Sequence, residues 1–280
     1  MSFYSSTTNR FKYLMRGVFR DGLLQRSITP IEAWELLGIT RHYGGLGATR
    51  RMLRKAGIKP GMRVLELGCG SGYTASMLVK AHGAKVTAVD KSEILLAGAK
   101  DRARAEGTSG MTHFVLADAE HLPNSLRGFD AVVAESVLAL CDPASVAREA
   151  FKALKPGGVF CDNELTYLRK PPEKLRLFLS TSLGARVSIL SEDEWSSVFR
   201  NAGFSPVWAS AHRISLSEDF KGILYVYGLR KVLSGFSILL NPRFLGTYLR
   251  PELLYKWSRL FSYAGYAIYI AKKPATKHRA

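Results

Sequence analysis

The chain has 280 residues, 47% of them hydrophobic, and a formal net charge of +17. That length admits one large domain or a core domain with additions, and no stretch approaches the about 18 uninterrupted apolar residues that mark a membrane-spanning helix. Three cysteines without CxxC spacing and six scattered histidines form neither a disulfide framework nor a ligand cluster, so no metal is expected.

The charge is uneven along the chain. Residues 1–55 hold 10 Lys and Arg against 3 Asp and Glu, residues 56–210 hold 18 against 17, and residues 211–280 hold 12 against 3. A neutral core between two basic ends predicts contact with something anionic at the ends, whether phosphate, nucleic acid or a lipid surface, or a charge kept for solubility alone.

Taken in chain order, Phe11, Leu14, Met15, Val18 and Phe19 form an apolar stripe beside Lys12, Arg16 and Arg20, which predicts a basic amphipathic helix within an N-terminal cap over 1–55. The same cations break up any apolar leader, so no secretory signal and a cytoplasmic address are expected. Next comes Arg41-His42-Tyr43-Gly44-Gly45-Leu46-Gly47, an imidazole and an aromatic ring among three glycines.

From residue 56 short β-branched runs alternate with longer helical periods. Arg63–Leu67, Lys85–Val89, His113–Ala117, Ala131–Ala134 and Val159–Asp162 read as strands, and Thr74–Lys80, Glu93–Ala105 and Ala144–Leu154 as helices. Apolar strands alternating with helices predict a mostly parallel sheet covered on both faces. Lys155-Pro156-Gly157-Gly158 stops a helix and turns into the fifth strand. Ser191 with Glu194 three residues on predicts a capping box for a helix over Glu192–Ala202. Pro206–Ala211 and Tyr266–Ala271 read as the last strands, and the residues between them, with an apolar face from Leu253 to Phe261 behind Pro251, predict a helical insertion. The expected organisation is a cap over 1–55, a core over 56–212, an insertion over 213–262, and a last strand with a basic tail over 263–280.

The first strand runs into Glu66-Leu67-Gly68-Cys69-Gly70-Ser71-Gly72-Tyr73. Its glycine spacing is G-x-G-x-G, and a tyrosine stands where a dinucleotide loop would need its third glycine. The acid two residues before Gly68 is the useful clue: a pyrophosphate gains nothing from a carboxylate, whereas an ammonium group does. The loop therefore predicts a nucleoside carrying an amino acid. Asp90 ends the second strand, placed to accept from both ribose hydroxyls, and Asp118 ends the third, placed to accept from an adenine amino group beside the backbone of Ala119.

The series VLELGCGSGYTA, VTAVDKS, FVLADAEHLP, GFDAVVAESVL and LKPGG resembles the class I S-adenosylmethionine-dependent methyltransferases of small-molecule type, in order and interval. The resemblance implies a Rossmann-like α/β sheet of seven strands with the last antiparallel, carrying an N-terminal helical lid and a helical insertion before the last strand. It implies S-adenosylmethionine as cofactor, with S-adenosylhomocysteine as product, bound by Glu66, Gly68, Cys69, Gly70, Gly72, Asp90, Lys91, Asp118, Ala119 and Glu135.

Transfer from a sulfonium needs alignment more than acid–base chemistry, so catalytic residues are weakly constrained. The candidates are Glu135 after the fourth strand, Glu164 after the fifth, and the lid segment, with Tyr43 against the cofactor and His42 as general base. The Asn/Asp-Pro-Pro-aromatic signature of DNA adenine methyltransferases is absent at Glu135-Ser136-Val137-Leu138. The expected acceptor is a small or amphipathic, lipid-like molecule, with peripheral contact to an anionic membrane surface. The alternative is RNA, its phosphates held by the basic ends, and nucleic acid ranks second because the aromatics at 253–261 fall on an apolar helical stripe.

Overall fold

The computed structural model describes residues 42–182, 187–215 and 262–275, together with 217, 221, 222, 224, 225, 228, 229 and 259. The N-terminal amphipathic helix, the helix expected behind Pro251 and the basic tail beyond 275 lie outside the described residues.

Among the described residues eight strands form one sheet: β1 (Arg63–Leu67), β2 (Lys85–Asp90), β3 (Thr112–Leu116), β4 (Phe129–Glu135), β5 (Leu154–Tyr167), β6 (Leu190–Ser191), β7 (Val207–Arg213) and β8 (Ala264–Lys272). The order is β3-β2-β1-β4-β5-β8-β7, with the two-residue β6 paired to the end of β5. β1 to β5 run parallel, and β8 is antiparallel to both β5 and β7. The strand order reverses between β1 and β4, and the crevice outside their carboxyl ends is where such sheets bind ligands.

Six helices are described: α1 (Gly45–Ala56), α2 (Tyr73–His82), α3 (Glu93–Ala105), α4 (Pro143–Ala153), α5 (Glu173–Ser182) and α6 (Glu192–Asn201). α1 lies where the sequence shows a glycine-rich segment. Gly44 takes the left-handed conformation as its N-cap, with φ 74°, and a Cβ there would stand 2.2 Å from the Tyr266 ring, so only glycine fits this approach. Beyond it Ala48, Thr49, Met52 and Leu53 turn inward against β5 and β8, while Arg50, Arg51, Arg54 and Lys55 face outward. The capping box of α6 forms as expected, with Ser191 N–H donating to Glu194 Oε2 at 2.7 Å and Glu194 N–H to Ser191 Oγ at 3.4 Å.

The sheet is buried on both sides. One face packs Leu65, Val132, Phe160, Ala267 and Tyr269 under Val146 and Ala150 of α4 and Trp195 and Phe199 of α6. The other packs Val64, Ala88, Val133, Cys161 and Ile268 under Met52 and Leu53 of α1 and Ala75 and Leu78 of α2. At about 25 cal/mol per Å² of apolar surface, this double burial is the main stabilising contribution.

β5 runs five residues past its expected end at Asp162, through Asn163, Glu164, Leu165, Thr166 and Tyr167. Four of these five carry polar atoms, which hides the strand from a reading of apolar runs, yet Asp162, Asn163, Glu164 and Thr166 are all fully buried. Among the described residues, both carboxylate oxygens of Asp162 and Oε2 of Glu164 lack a hydrogen-bond partner. Burial and mutual repulsion push Asp162 well above the usual carboxylate range, and burial, partly offset by backbone N–H groups, brings Glu164 to about 7.

A raised folded-state pKa means that the folded chain holds its proton more tightly than the unfolded one. For Glu164 the stability it contributes is therefore fully present below about 4.5 and lost as pH rises through about 7, and for Asp162 the change has the same sign. Asp162→Asn removes the ionisable group with little change of shape, so the cost of holding or ionising it as pH rises disappears, and the melting temperature is expected to rise by about 5 °C at pH 8 and by less at pH 5. A drop at pH 8 would show that the carboxylate is paired and stabilising.

Candidate functional site

The loop after β1 is set by its backbone. Gly68, Gly70 and Gly72 have φ of 62°, 51° and 73°, a conformation that L side chains avoid. A Cβ at Gly68 would lie 2.5 Å from Cγ2 of Val137, and one at Gly72 would lie 2.8 Å from Cβ of Ala99, so the loop is packed tightly between the segment after β4 and helix α3. Cys69 N–H donates to Val89 O at 2.9 Å and fastens the loop to β2. The Cys69 thiol is buried, and burial together with Glu66 and Asp90 pushes its pKa upward, so it is an inert filler rather than a nucleophile.

Asp90 completes this loop. Its Oδ2 accepts from Gly70 N–H at 2.8 Å and its Oδ1 from Ser92 N–H at 2.9 Å, which leaves one lone pair on each oxygen directed elsewhere. The carboxylate is thus fixed in orientation by the glycine loop and still able to accept two more bonds.

Strand alternation places Glu66 of β1, Asp90 of β2, Glu135 of β4 and Asn163 of β5 on one face, the face covered by α1 and α2. Glu66 is 4% exposed and its Oε2 has no hydrogen-bond partner among the described residues. Burial, then the Glu135 and Asp90 carboxylates, push its pKa well above the usual range. Asn163 donates from Nδ2 to Tyr43 O at 2.8 Å, and its Oδ1 is buried without a partner among the described residues. Two acceptors therefore wait at this end of the sheet for a donor, and a cationic one would relieve the repulsion among the acids.

Glu135 differs from Glu66. Thr49 Oγ1 donates to its Oε2 at 2.6 Å, Thr74 Oγ1 donates to its Oε1 at 2.9 Å, and His42 Nδ1 stands 3.0 Å from Oε2. Burial alone would raise its pKa, but the His42 charge and these hydrogen bonds outweigh burial and lower it. For His42 burial opposes the charged form, and Glu135 overcomes it, so its pKa is raised. Sequence reading had singled out both residues separately, and the fold joins them across 93 positions.

Glu164 does not join this group. As the neighbour of Asn163 it points to the opposite face, where its Oε1 accepts from Val137 N–H at 2.7 Å and Leu138 N–H at 2.6 Å. It braces the segment that packs on Gly68. Asp118 is exposed, with Oδ1 accepting from Glu120 N–H at 2.9 Å, Ala119 is buried beside it, and Lys91 is exposed at the end of β2.

Thr49, Thr74 and Ser136 were not singled out from sequence. Both threonines lie on helices, and only their shared approach to Glu135 distinguishes them. Ser136 has φ 61°, the one positive value at a described non-glycine residue, and its buried Oγ lacks a partner among the described residues. Strain of this kind costs about 1–3 kcal/mol and collects at functional sites.

Residues 58–203 match the family model of the methyltransferase domain, just over half of the chain. The chain is 33% identical over 192 residues to the uncharacterized methyltransferase YodH of Bacillus subtilis, a match that covers 68% of this chain and 79% of that one. It is 35% identical over 184 residues to the sterol 24-C-methyltransferase erg6 of Aspergillus fumigatus, covering 64% of this chain and 48% of that longer protein. In fold it is similar to an S-adenosylmethionine-dependent methyltransferase of Thiobacillus denitrificans solved with S-adenosylhomocysteine, with TM-score 0.63, 19% identity, and coverage of 88% and 99% of the two chains. The chain belongs to the methyltransferase-domain family and is a class I S-adenosylmethionine-dependent methyltransferase.

Proposed function

We propose that this enzyme methylates a small or lipid-like acceptor, holding S-adenosylmethionine at the carboxyl ends of β1, β2 and β4. The observation that carries the cofactor placement is the pair of buried acceptors that have no partner among the described residues, Glu66 Oε2 and Asn163 Oδ1, beside a glycine loop packed too tightly for a Cβ at Gly68 or Gly72. An ammonium group supplies the donors and the positive charge that these atoms lack. Asp90 keeps two lone pairs for the ribose hydroxyls, and Asp118, with the backbone at Ala119, and Lys91 serve the adenosine end. Tyr43 closes over the methionine end, its carbonyl held by Asn163.

Bound there, S-adenosylmethionine supplies a methyl group activated by its sulfonium. The chain aligns the reactants and excludes water, since Glu66, Asp90 and Glu135 are all under 9% exposed. For the acceptor, an apolar cluster of Leu165, Tyr167, Leu175 and Ala264 adjoins the site, with Tyr43, Ile189, Ile214 and Tyr263 packed against it. Tyr43 borders both this cluster and the cofactor face, which supports an acceptor with an apolar body. The sterol-methylating relative supports the same class.

The cofactor placement has a calorimetric consequence. Because Glu66 holds a proton well above the usual carboxylate range, capture of an ammonium beside it is expected to release that proton. S-adenosylhomocysteine titrated at pH 6 in buffers of different ionisation enthalpy should show net proton release in the wild type and none in Glu66→Gln, with affinity about 10-fold weaker. Identical proton counts in the two proteins would remove Glu66 from the cofactor site.

A further inference from the structure

The His42 imidazole is held at the methyl-transfer end of the sheet more firmly than a passing contact requires. Its carbonyl accepts from Gly45 N–H at 3.0 Å in the turn that starts α1, and the next residue is clamped by Asn163 Nδ2 on Tyr43 O at 2.8 Å. Gly44 then passes against the Tyr266 ring, too closely for any side chain. This short strap delivers the imidazole to Glu135, with Nδ1 3.0 Å from Oε2.

Glu135 does not need the imidazole to be satisfied, since Thr49 and Thr74 already donate one hydroxyl to each of its oxygens. Those hydroxyls fix the carboxylate as an anchor. With Nδ1–H donated to the anchor, the neutral ring keeps its lone pair on Nε2, which no described residue engages. Of the titratable groups at this end, Glu66 on β1, Asp90 on β2, Cys161 on β5 and Glu135 on β4, Glu135 is the one that acts on the imidazole.

We propose that His42, oriented by Glu135, is the general base of this enzyme, and that its acceptors are therefore O–H or N–H nucleophiles that must lose a proton as they are methylated. The inference rests on the methyltransferase reading and adds the acceptor chemistry to it. The acceptor's lone pair forms the new bond to the methyl carbon as the carbon–sulfur bond breaks and its electron pair stays on sulfur. The acceptor's proton passes to His42 Nε2, and the imidazolium is held against the Glu135 carboxylate until the proton leaves to solvent. A thiolate needs no such base, and a carbon–carbon double bond has no proton to give at the moment of attack. His42 is the catalytic residue here, and Glu135, which acts through it, is a positioning residue.

Two measurements on the full chain test this. In nitrogen-detected histidine spectra of the protein saturated with S-adenosylhomocysteine, His42 should be the Nδ1–H tautomer when neutral and titrate above the ordinary value of 6.5, and Glu135→Gln should move that titration down. Methyl transfer is then followed to a phenol, a primary amine and a thiol as probes. Label is expected on the phenol or the amine, with kcat for His42→Ala reduced about 100-fold or more, S-adenosylhomocysteine affinity unchanged, and partial rescue by added imidazole. The acid limb of the kcat/KM profile should follow the His42 titration and shift to lower pH in Glu135→Gln. An Nε2–H tautomer, a wild-type rate in His42→Ala, or label on the thiol alone or on none of the probes would overturn the proposal. Failure of the wild type to bind S-adenosylhomocysteine would instead count against the cofactor reading beneath it.

Discussion

Asp90→Ala is expected to weaken S-adenosylhomocysteine affinity by about 100-fold or more in a protein that still melts cooperatively. The loss has two sources. The ribose hydroxyls lose an ionised acceptor, worth about 1.5–3 kcal/mol per bond, and Gly70 N–H and Ser92 N–H lose the oxygens that order the glycine loop. Asp90→Asn separates the two, because an amide oxygen can still accept from one of these groups. Its affinity should fall between wild type and alanine. Unchanged affinity in folded Asp90→Ala would remove this residue from the cofactor site.

The second large effect is expected at Gly68. In Gly68→Ala the added methyl meets Cγ2 of Val137 at 2.5 Å, and the backbone sits at φ 62°, where a Cβ costs about 1–2 kcal/mol. Valine cannot swing aside, because its branched Cβ leaves few rotamers. The loop must move, and cofactor affinity is expected to fall at least 100-fold. Val137→Ala vacates that space, so the double variant should recover about 10-fold relative to Gly68→Ala alone. Strictly additive effects in this cycle would mean that the two residues do not touch. The same cycle probes Glu164, which holds Val137 in place through its backbone N–H.

Much of this framework was legible in the sequence. Arg63–Leu67 and Glu93–Ala105 fall where the apolar periods put them, and Asp90 ends β2 as expected, whereas β3 stops at Leu116 and Asp118 lies two residues beyond it. Those signals survive because a strand buried on both faces must be apolar along its length. The second half of β5 breaks that rule, and its polar residues concealed it. The segment with the glycines of 44–47 reads in sequence as a lid without a helix of its own, whereas Gly44 and Gly45 take positive φ in the turn that starts α1 and Gly47 sits inside it.

The site divides along the same line. Residues fixed by a local motif, such as Glu66 and the glycines, could be found from one segment. The link between His42 and Glu135 could not, since it depends on α1 crossing the sheet so that Thr49 and the strap reach β4. Glu164 and Asn163 are adjacent in sequence, but alternation along β5 sends them to opposite faces. Once the strand is known to continue, that separation follows from parity alone.

The central claim, methyl transfer to a small or lipid-like acceptor, is tested most directly by incubating the purified chain with methyl-labelled S-adenosylmethionine and an extract of its source cells. The account predicts label that partitions into organic solvent or remains with acid-soluble small molecules, and is lost in Asp90→Ala. Label that precipitates with acid and is released by nuclease would contradict it and make nucleic acid the acceptor.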